Sequence, residues 1–515
     1  MQHDAGKTVS LWQATSHAPL YQPLRESLRT GVCVVGAGVA GLSVAWELAR
    51  RGHDVVVIDD GGIGEGVTAR TTAHLSNGLD DRYFRLARWH GSEGARMAAA
   101  SHSAAIDFIE RTVSANSIEC DFERVPGYLA AATASDEATL AHECAAAREA
   151  GLDVALMEDP GIAARGLGPV LRFARQAQVH PLRYLYGVAD AAVRSRVRIH
   201  TWTHASEIHG GSSAHVVCGD GSRVHASAVV VATNTPVNDR LALHTKQAAY
   251  RTFVIAVRVA ADAFAPCLLW DTADPYHYAR LWRDRDAQQT WLLVGGEDHR
   301  TGQPGDSNER FAALHRWMQE RLGIDAAVDH AWSGQIEEPN DGLGFIGRNP
   351  TGEPNVFVVT GDSGNGLTHA SLGALLIADL IEGRENPWET LYSPSRKTLR
   401  AAGAFVRENA STALQYRELL TGGEIDDVEA IAAGRGAIVR RGLHKWAAFR
   451  DSLGTLHVRS AICTHLGCVV SWNALEGTWD CGCHGSRFDA IDGHPVNGPA
   501  NRPLAAAPDD ALARS

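Results

Sequence analysis

Lysine is nearly missing from this chain of 515 residues: Lys7, Lys246, Lys397 and Lys445 are the four, and arginine carries the rest of the positive charge. A formal charge of −12 argues against a phosphate-backbone partner, because nucleic-acid binders present basic patches. No apolar stretch approaches the roughly 20 residues needed to cross a bilayer; the longest, such as "GALLIADLI", suit a buried helix. The first residues lack a basic segment followed by an apolar one, so no secretory signal is expected and the expected location is cytoplasmic. Repeats of solenoid period, long low-complexity segments and a Ser/His/Asp hydrolytic set are all missing too.

What is present describes a globular protein, with 45% hydrophobic and 21% charged residues. The length predicts two or three domains. Five of the nine cysteines are scattered, as small buried hydrophobes often are. The other four crowd into "AICTHLGCVVSWNALEGTWDCGCHGSRFD", Ala461 to Asp489. Such clustering means a metal site or a disulfide framework.

Near the other end, "GVCVVGAGVAGLSVAWELARRGHDVVVIDD" reads as strand, tight turn, helix, strand. Val32 to Val35 form the apolar run of a buried parallel strand. Gly36, Gly38 and Gly41 then allow the turn, the approach of a pyrophosphate and close helix packing. The helix aims its N-terminal amides at the phosphates. Asp59 closes the second strand, where a carboxylate can accept the ribose hydroxyls of an adenosine. Farther on, "NVFVVTGDSGNGLTHASLGALLIADLIEG" repeats the strand, Gly-rich turn and helix, with Gly361, Gly364 and Gly366 in the turn. Two such crossings suit a long cofactor such as FAD, held at several points. A second complete fingerprint for a nicotinamide is missing.

From Gly31 to about Pro394 the chain resembles the D-amino-acid oxidase superfamily of flavoproteins, which includes glycine and sarcosine oxidases. The landmarks are the glycine fingerprint, "TARTTAHL", "HPLRYLYGVADAA", "VVVATNTP", "WLLVGGEDHRTG", "DGLGFIGRNP" and "TGDSGNGLTHA". The resemblance implies that Arg70, Thr71, Thr72, Ala73, His74 and Leu75 line the flavin and that Ala205 lies by the adenine. It implies nucleotide contacts from Ala232, Thr233 and Asn234, and a helix N-terminus at the isoalloxazine edge from Gly364, Asn365, Gly366, Leu367 and Thr368. Some members attach FAD covalently through a His in a G-x-T-x-H loop; here Arg70 stands in that place, so dissociable FAD is expected. His74 is expected to pack or hydrogen-bond, and His180, before Pro181, to serve a turn.

In the cysteine-rich stretch, Cys463, His465, Cys481 and His484 alone would also suit tetrahedral zinc. The further pair Cys468 and Cys483 changes that. "CTHLGC" and "CGCHGS" resemble the two boxes of a Rieske domain, a [2Fe–2S] centre with two thiolates on one iron and two imidazoles on the other. The resemblance implies Cys463, His465, Cys481 and His484 as ligands and a Cys468–Cys483 disulfide between the ligand loops. Respiratory members carry a Tyr two residues after the box-two Ser. This chain keeps Ser486 but has Phe488 there, which predicts a cluster of lower potential than the respiratory type.

The expected fold is an α/β FAD-binding domain, glutathione-reductase-like and of Rossmann type, with an inserted α+β substrate domain and a C-terminal all-β Rieske domain. The expected boundaries are an N-terminal extension at 1–30, the flavin unit at 31–394, a helical connector at 395–422, the Rieske unit at 423–507 and a tail at 508–515. Residues 79–121 read as helices, and Thr252 to Val259 and Thr290 to Gly295 as strands of the substrate-facing sheet. Tyr276, His277, Tyr278, Arg280, His299 and Arg300 are the substrate-pocket candidates, with an Arg able to clamp a carboxylate; packing or solvent-facing roles are the alternative for Tyr278 and Arg280. No catalytic acid or base declares itself. The resemblance implies oxidation of a C–N bond in an amine or amino acid, with electrons passing from FAD to the cluster and then to an unidentified external acceptor. An NAD(P)H-driven reductase and a redox sensor or carrier are the alternatives.

Overall fold

The computed structural model describes residues 6–158, 169–238, 243–303, 307–350, 352, 354–401 and 415–508. The valine-rich strand Leu28–Val35 lies inside a sheet whose order runs Phe345–Arg348, Val356–Thr360, Arg223–Val231, Leu28–Val35, Val55–Ile58 and Arg198–His200. Those pairings are parallel except at the Phe345–Arg348 edge, and an antiparallel pair of strands, Ala205–His209 and His215–Cys218, joins the sheet at Arg223–Val231. Helices Val39–Arg50 and Gly366–Ile381 pack together against it, and Pro181–Arg194 packs on Val39–Arg50. Such a sheet is covered by helices and reads as continuous apolar runs, which is why Val32, Val34, Val56 and Val57 are almost wholly buried.

Two glycines make the turn after the first strand. Gly36 has φ +110°, and a Cβ there would run into the carbonyl of Ala232. A Cβ on Gly41 would strike the carbonyl of Gly36, so the helix lies directly against the turn.

A second, largely antiparallel sheet of nine strands includes Gln247–Val259, His277–Asp284, Gln289–Arg300 and Val328–Pro339. The strands expected from Thr252 and Thr290 are therefore parts of longer ones. The expected helices at 79–121 form one element, Tyr83–Asn116, interrupted at Gly91. His180 caps the helix Pro181–Arg194, its Nδ1 accepting the amide of Arg183 at 3.1 Å.

The C-terminal unit is all β. Arg435–Arg441, His444–Arg450 and Leu456–Ser460 form one sheet, and Val470–Asn473, Thr478–Cys481, Arg487–Asp489 and Pro495–Asn497 another. The helix expected in the connector falls mainly on residues 402–414, outside the described residues. On either side lie only the short 3-10 turns Leu399–Ala401 and Tyr416–Leu419. Among the described residues no helix is long and apolar enough to cross a membrane.

The N-terminal segment is a packed strap. Ser10 caps the short helix Leu11–Ala14 and donates to the carbonyl of Ala69 at 2.6 Å. Trp12 is wholly buried and donates to the carbonyl of Thr71. The strap therefore fixes the backbone of the loop expected to line the flavin.

Candidate functional site

A long cleft opens where the two sheets of the N-terminal unit meet. Gly36, Gly38, Asp59, Thr71, Thr72, His74, Ala205, Ala232, Thr233, Asn234, Gly361, Gly364, Asn365, Gly366 and Leu367 line it. Asp59 accepts the amides of Ala37 at 2.5 Å and Gly61 at 2.8 Å. Burial and the charge of Asp60 push it up to about 7 against those amides.

Four expected residues stand behind this lining. Gly41 and Leu75 are packed into the core, and Ala73 has φ 58° with no exposed surface. The hydroxyl of Thr368 is held between His102 and the carbonyl of Asn365. Arg70 borders the cleft, but its guanidinium turns away to Thr8, Gly6 and Ser333. His74 pairs with Thr72 and meets Tyr278 edge-on, and burial with the charge of Arg280 lowers it to about 3.

One end of the cleft is lined by acids and phenols. Asp80, Asp362, Tyr276 and Tyr278 line it. Burial pushes Asp80 up to about 6, against the pull of Arg82 and a hydrogen bond from Tyr276. Burial likewise takes Asp362 to about 6 and nearby Asp298 to about 7. Tyr278 shares a hydrogen bond with Thr252 at 2.9 Å.

The other pocket candidates lie outside the cleft. Arg280 is fully buried and donates to Thr72 O, Gln178 and Val179 O beside the ring of Trp12. It packs against neighbouring backbone and does not face solvent. His299 stacks on Phe253, and His277 lies between Asp271 and Glu297. Sequence reasoning missed Asp80 and Asp362; the acidic pair Asp80 and Asp81 directly after "LSNGL" was the available sign for the first.

In the C-terminal unit, Cys468 and Cys483 form a disulfide, while Cys463 and Cys481 are free thiols in mutual hydrogen-bond contact. The rings of His465 and His484 lie 5.0 Å apart. His484 Nδ1 is buried without a hydrogen-bond partner. The loops therefore bring together two thiols and two imidazoles. His244, from the flavin unit, packs edge-on against both rings.

The two units meet through buried charges. Glu476 lies 3.2 Å from Arg70 and 3.2 Å from Arg251, and Asp480 lies 3.2 Å from both Arg251 and Arg487. Gln335, a cleft residue, donates to the carbonyl of Gly485 at 3.0 Å.

Residues 31–380 match the family described as FAD dependent oxidoreductase (DAO). The chain belongs to that family. Residues 423–508 match the Rieske [2Fe-2S] domain. It is thus an FAD-dependent oxidoreductase of the DAO family that also carries a Rieske domain. YhfW of Bacillus subtilis (strain 168), named as a Rieske 2Fe-2S iron-sulfur protein, is 31% identical over 96% of each chain. Gamma-glutamylputrescine oxidoreductase of Escherichia coli (strain K12) is 27% identical, over 75% of this chain and 93% of its own. The solved glycine oxidase of Geobacillus kaustophilus shares the fold, with a TM-score of 0.58 at 20% identity over 72% of this chain and 99% of that one.

The residues of this DAO-family protein fit both cofactors. Gly36 and Gly38 present backbone without side chains to the cleft, which suits the approach of a pyrophosphate, and the Nδ2 of Asn234, a cleft residue, is a buried donor without a partner. The Cys2His2 donor set, with the unpartnered His484 Nδ1, fits a [2Fe–2S] centre.

Proposed function

We propose that the protein oxidises the C–N bond of an amine or amino acid at FAD, and that electrons then pass singly through the Rieske cluster to an external acceptor. The observation that carries this reading is Gln335: one side chain, 1% exposed, lines the flavin cleft and hydrogen-bonds the residue next to His484. When bound, FAD supplies a two-electron hydride acceptor and the cluster a one-electron acceptor. Cys463, His465, Cys481 and His484 would hold the cluster. The cleft residues would hold FAD without a covalent bond, since Arg70 occupies the attachment position and points toward Glu476.

The chain's own part is to place the substrate. The carbon bearing nitrogen loses a hydride, the nitrogen lone pair completes an imine, and water hydrolyses it to a carbonyl compound and a freed amine or ammonia. Hydride transfer needs a neutral amine held in register rather than a strong base. Asp80, held by Tyr276, is the group placed to attract an ammonium and to take its proton. The acidic end favours an amine over an α-amino acid, because Arg280, the arginine that could have clamped a carboxylate, is committed to Thr72 and Val179. Two relatives carry nitrogen compounds, gamma-glutamylputrescine and glycine, in their names.

The test is anaerobic mixing of holoprotein with amines and amino acids, and separately with NADH and NADPH. Flavin bleaching is followed optically and cluster reduction by electron paramagnetic resonance. Bleaching by an amine followed by a reduced Rieske signal is expected. Bleaching by NAD(P)H alone would replace this reading with a reductase, and no bleaching by any donor would favour a sensor or carrier.

A further inference from the structure

The cleft has a wall that the flavin unit does not supply. Pro495, Val496, Asn497, Gly498, Ala500 and Asn501, all from the Rieske unit, line it together with Asp59, Thr203, Ala205 and Asn234. The segment is fastened at several points. Asn501 Nδ2 donates to the carbonyls of Ala205 at 2.9 Å and Ser206 at 3.2 Å. A Cβ on Gly498 would come 3.2 Å from the carbonyl of Thr235, so this backbone lies directly on the flavin unit. The amide of Ala500 donates to Ser486 Oγ at 3.0 Å, which ties the segment to the loop bearing Cys481 and His484.

The chemistry of the wall points to a ligand. Asn497 Nδ2 is sealed from solvent and has no hydrogen-bond partner. A buried amide donor left unpaired forfeits its hydration without compensation, so such a group is expected to meet an acceptor. Asn234 Nδ2, lining the same cleft, is in the same state. A dinucleotide offers phosphate, ribose and adenine acceptors.

We propose that the Rieske unit is part of the FAD site. The Pro495–Asn501 segment closes the dinucleotide end of the cleft, Asn497 donates a hydrogen bond to the cofactor, and FAD enters or leaves only when this segment is displaced. The proposal rests on the FAD assignment and is independent of the substrate and of the direction of electron flow.

The experiment uses the full chain stripped of FAD and reconstituted. Hydrogen–deuterium exchange of residues 495–501 is measured with and without FAD, and FAD affinity and release rate are measured by flavin fluorescence for the unchanged chain and for Asn497→Ala. The cluster's paramagnetic resonance spectrum reports that the Rieske unit remains folded. Slower exchange on FAD binding is expected, together with about tenfold weaker binding and faster release in Asn497→Ala, the loss of one hydrogen bond. Unchanged exchange in a chain that binds FAD overturns the proposal, as does unchanged affinity in Asn497→Ala with an intact cluster spectrum. If that variant loses its cluster, the exchange measurement on the unchanged chain decides. Failure to bind FAD at all would refute the cofactor assignment and the proposal that stands on it.

Discussion

Arg70 Nη1 lies 3.2 Å from Glu476 Oε1, and both side chains are shut off from water, 1% and 0% exposed. The arginine replaces the histidine that attaches flavin in some members of the resembling family; the glutamate belongs to the Rieske unit. The residue that departs from the covalent pattern therefore also holds the second redox unit in place.

Glu476→Gln is expected to destabilise the protein by about 3–5 kcal/mol, because it takes a buried carboxylate away from both Arg70 and Arg251 and leaves Arg251 to share Asp480 with Arg487. Burial works against the Glu476 charge, but Arg70 and Arg251 outweigh it and hold the group at about 2. A depressed carboxylate contributes stability above its unfolded pKa and loses it as pH falls toward the folded one. The difference between variant and unchanged protein in denaturant titrations should therefore stay constant from pH 5 to 8 and shrink only as pH falls below about 4.5. A difference that varies across the neutral range would rule out this account.

Asp80→Asn should raise KM for a cationic amine about 10- to 150-fold, the worth of a charge-assisted hydrogen bond of roughly 1.5–3 kcal/mol. Asp80 is held at about 6, so below that pH it is neutral and its pull on an ammonium is gone. A plot of kcat/KM against pH should rise through this region in the unchanged enzyme and lose that limb in the variant. An unaltered limb would assign the titration to another group.

The parts legible in the sequence are those in which neighbours along the chain do the work. Val32 to Val35, Gly36 and Gly41 announce a strand and a turn because steric demands act over a few residues, and "CTHLGC" with "CGCHGS" places four cysteines and two histidines on two short loops. Long-range encounters left no local trace: Arg70 meets Glu476 across 406 positions, and Asn501 meets Ala205 across 296. The strap shows the same limit. Its Trp12 looks like part of a plain extension, yet it lies under Arg280 and removes that arginine from the substrate side. Strand alternation places Tyr278 and Arg280 on one face. It does not reveal that the longer side chain reaches past the cleft to Val179.

Gln335→Leu removes the hydrogen bond to Gly485 without removing any cleft carboxylate. Flavin bleaching by substrate should keep its rate while the cluster signal appears more slowly in rapid-freeze samples. Equal rates of cluster reduction in variant and unchanged protein would show that electrons do not depend on this contact.

Phe488 is fully buried in the same core cluster as Cys463 and Cys481, and it fills the place where respiratory Rieske proteins carry a hydroxyl. A hydrogen bond to a ligand sulfur stabilises the reduced cluster, whose charge is more negative, and so raises its potential. Phe488→Tyr should raise the midpoint by about 20–60 mV, one hydrogen bond of roughly 0.5–1.5 kcal/mol converted for a one-electron couple. Ser486 contacts Cys463 through its hydroxyl, so Ser486→Ala should shift the midpoint downward by a similar amount. Redox titration followed by paramagnetic resonance reads both. Opposite shifts in the two variants would tie the potential to hydroxyl contacts at the sulfurs, whereas shifts of the same sign would tie it to solvent entering a disturbed core.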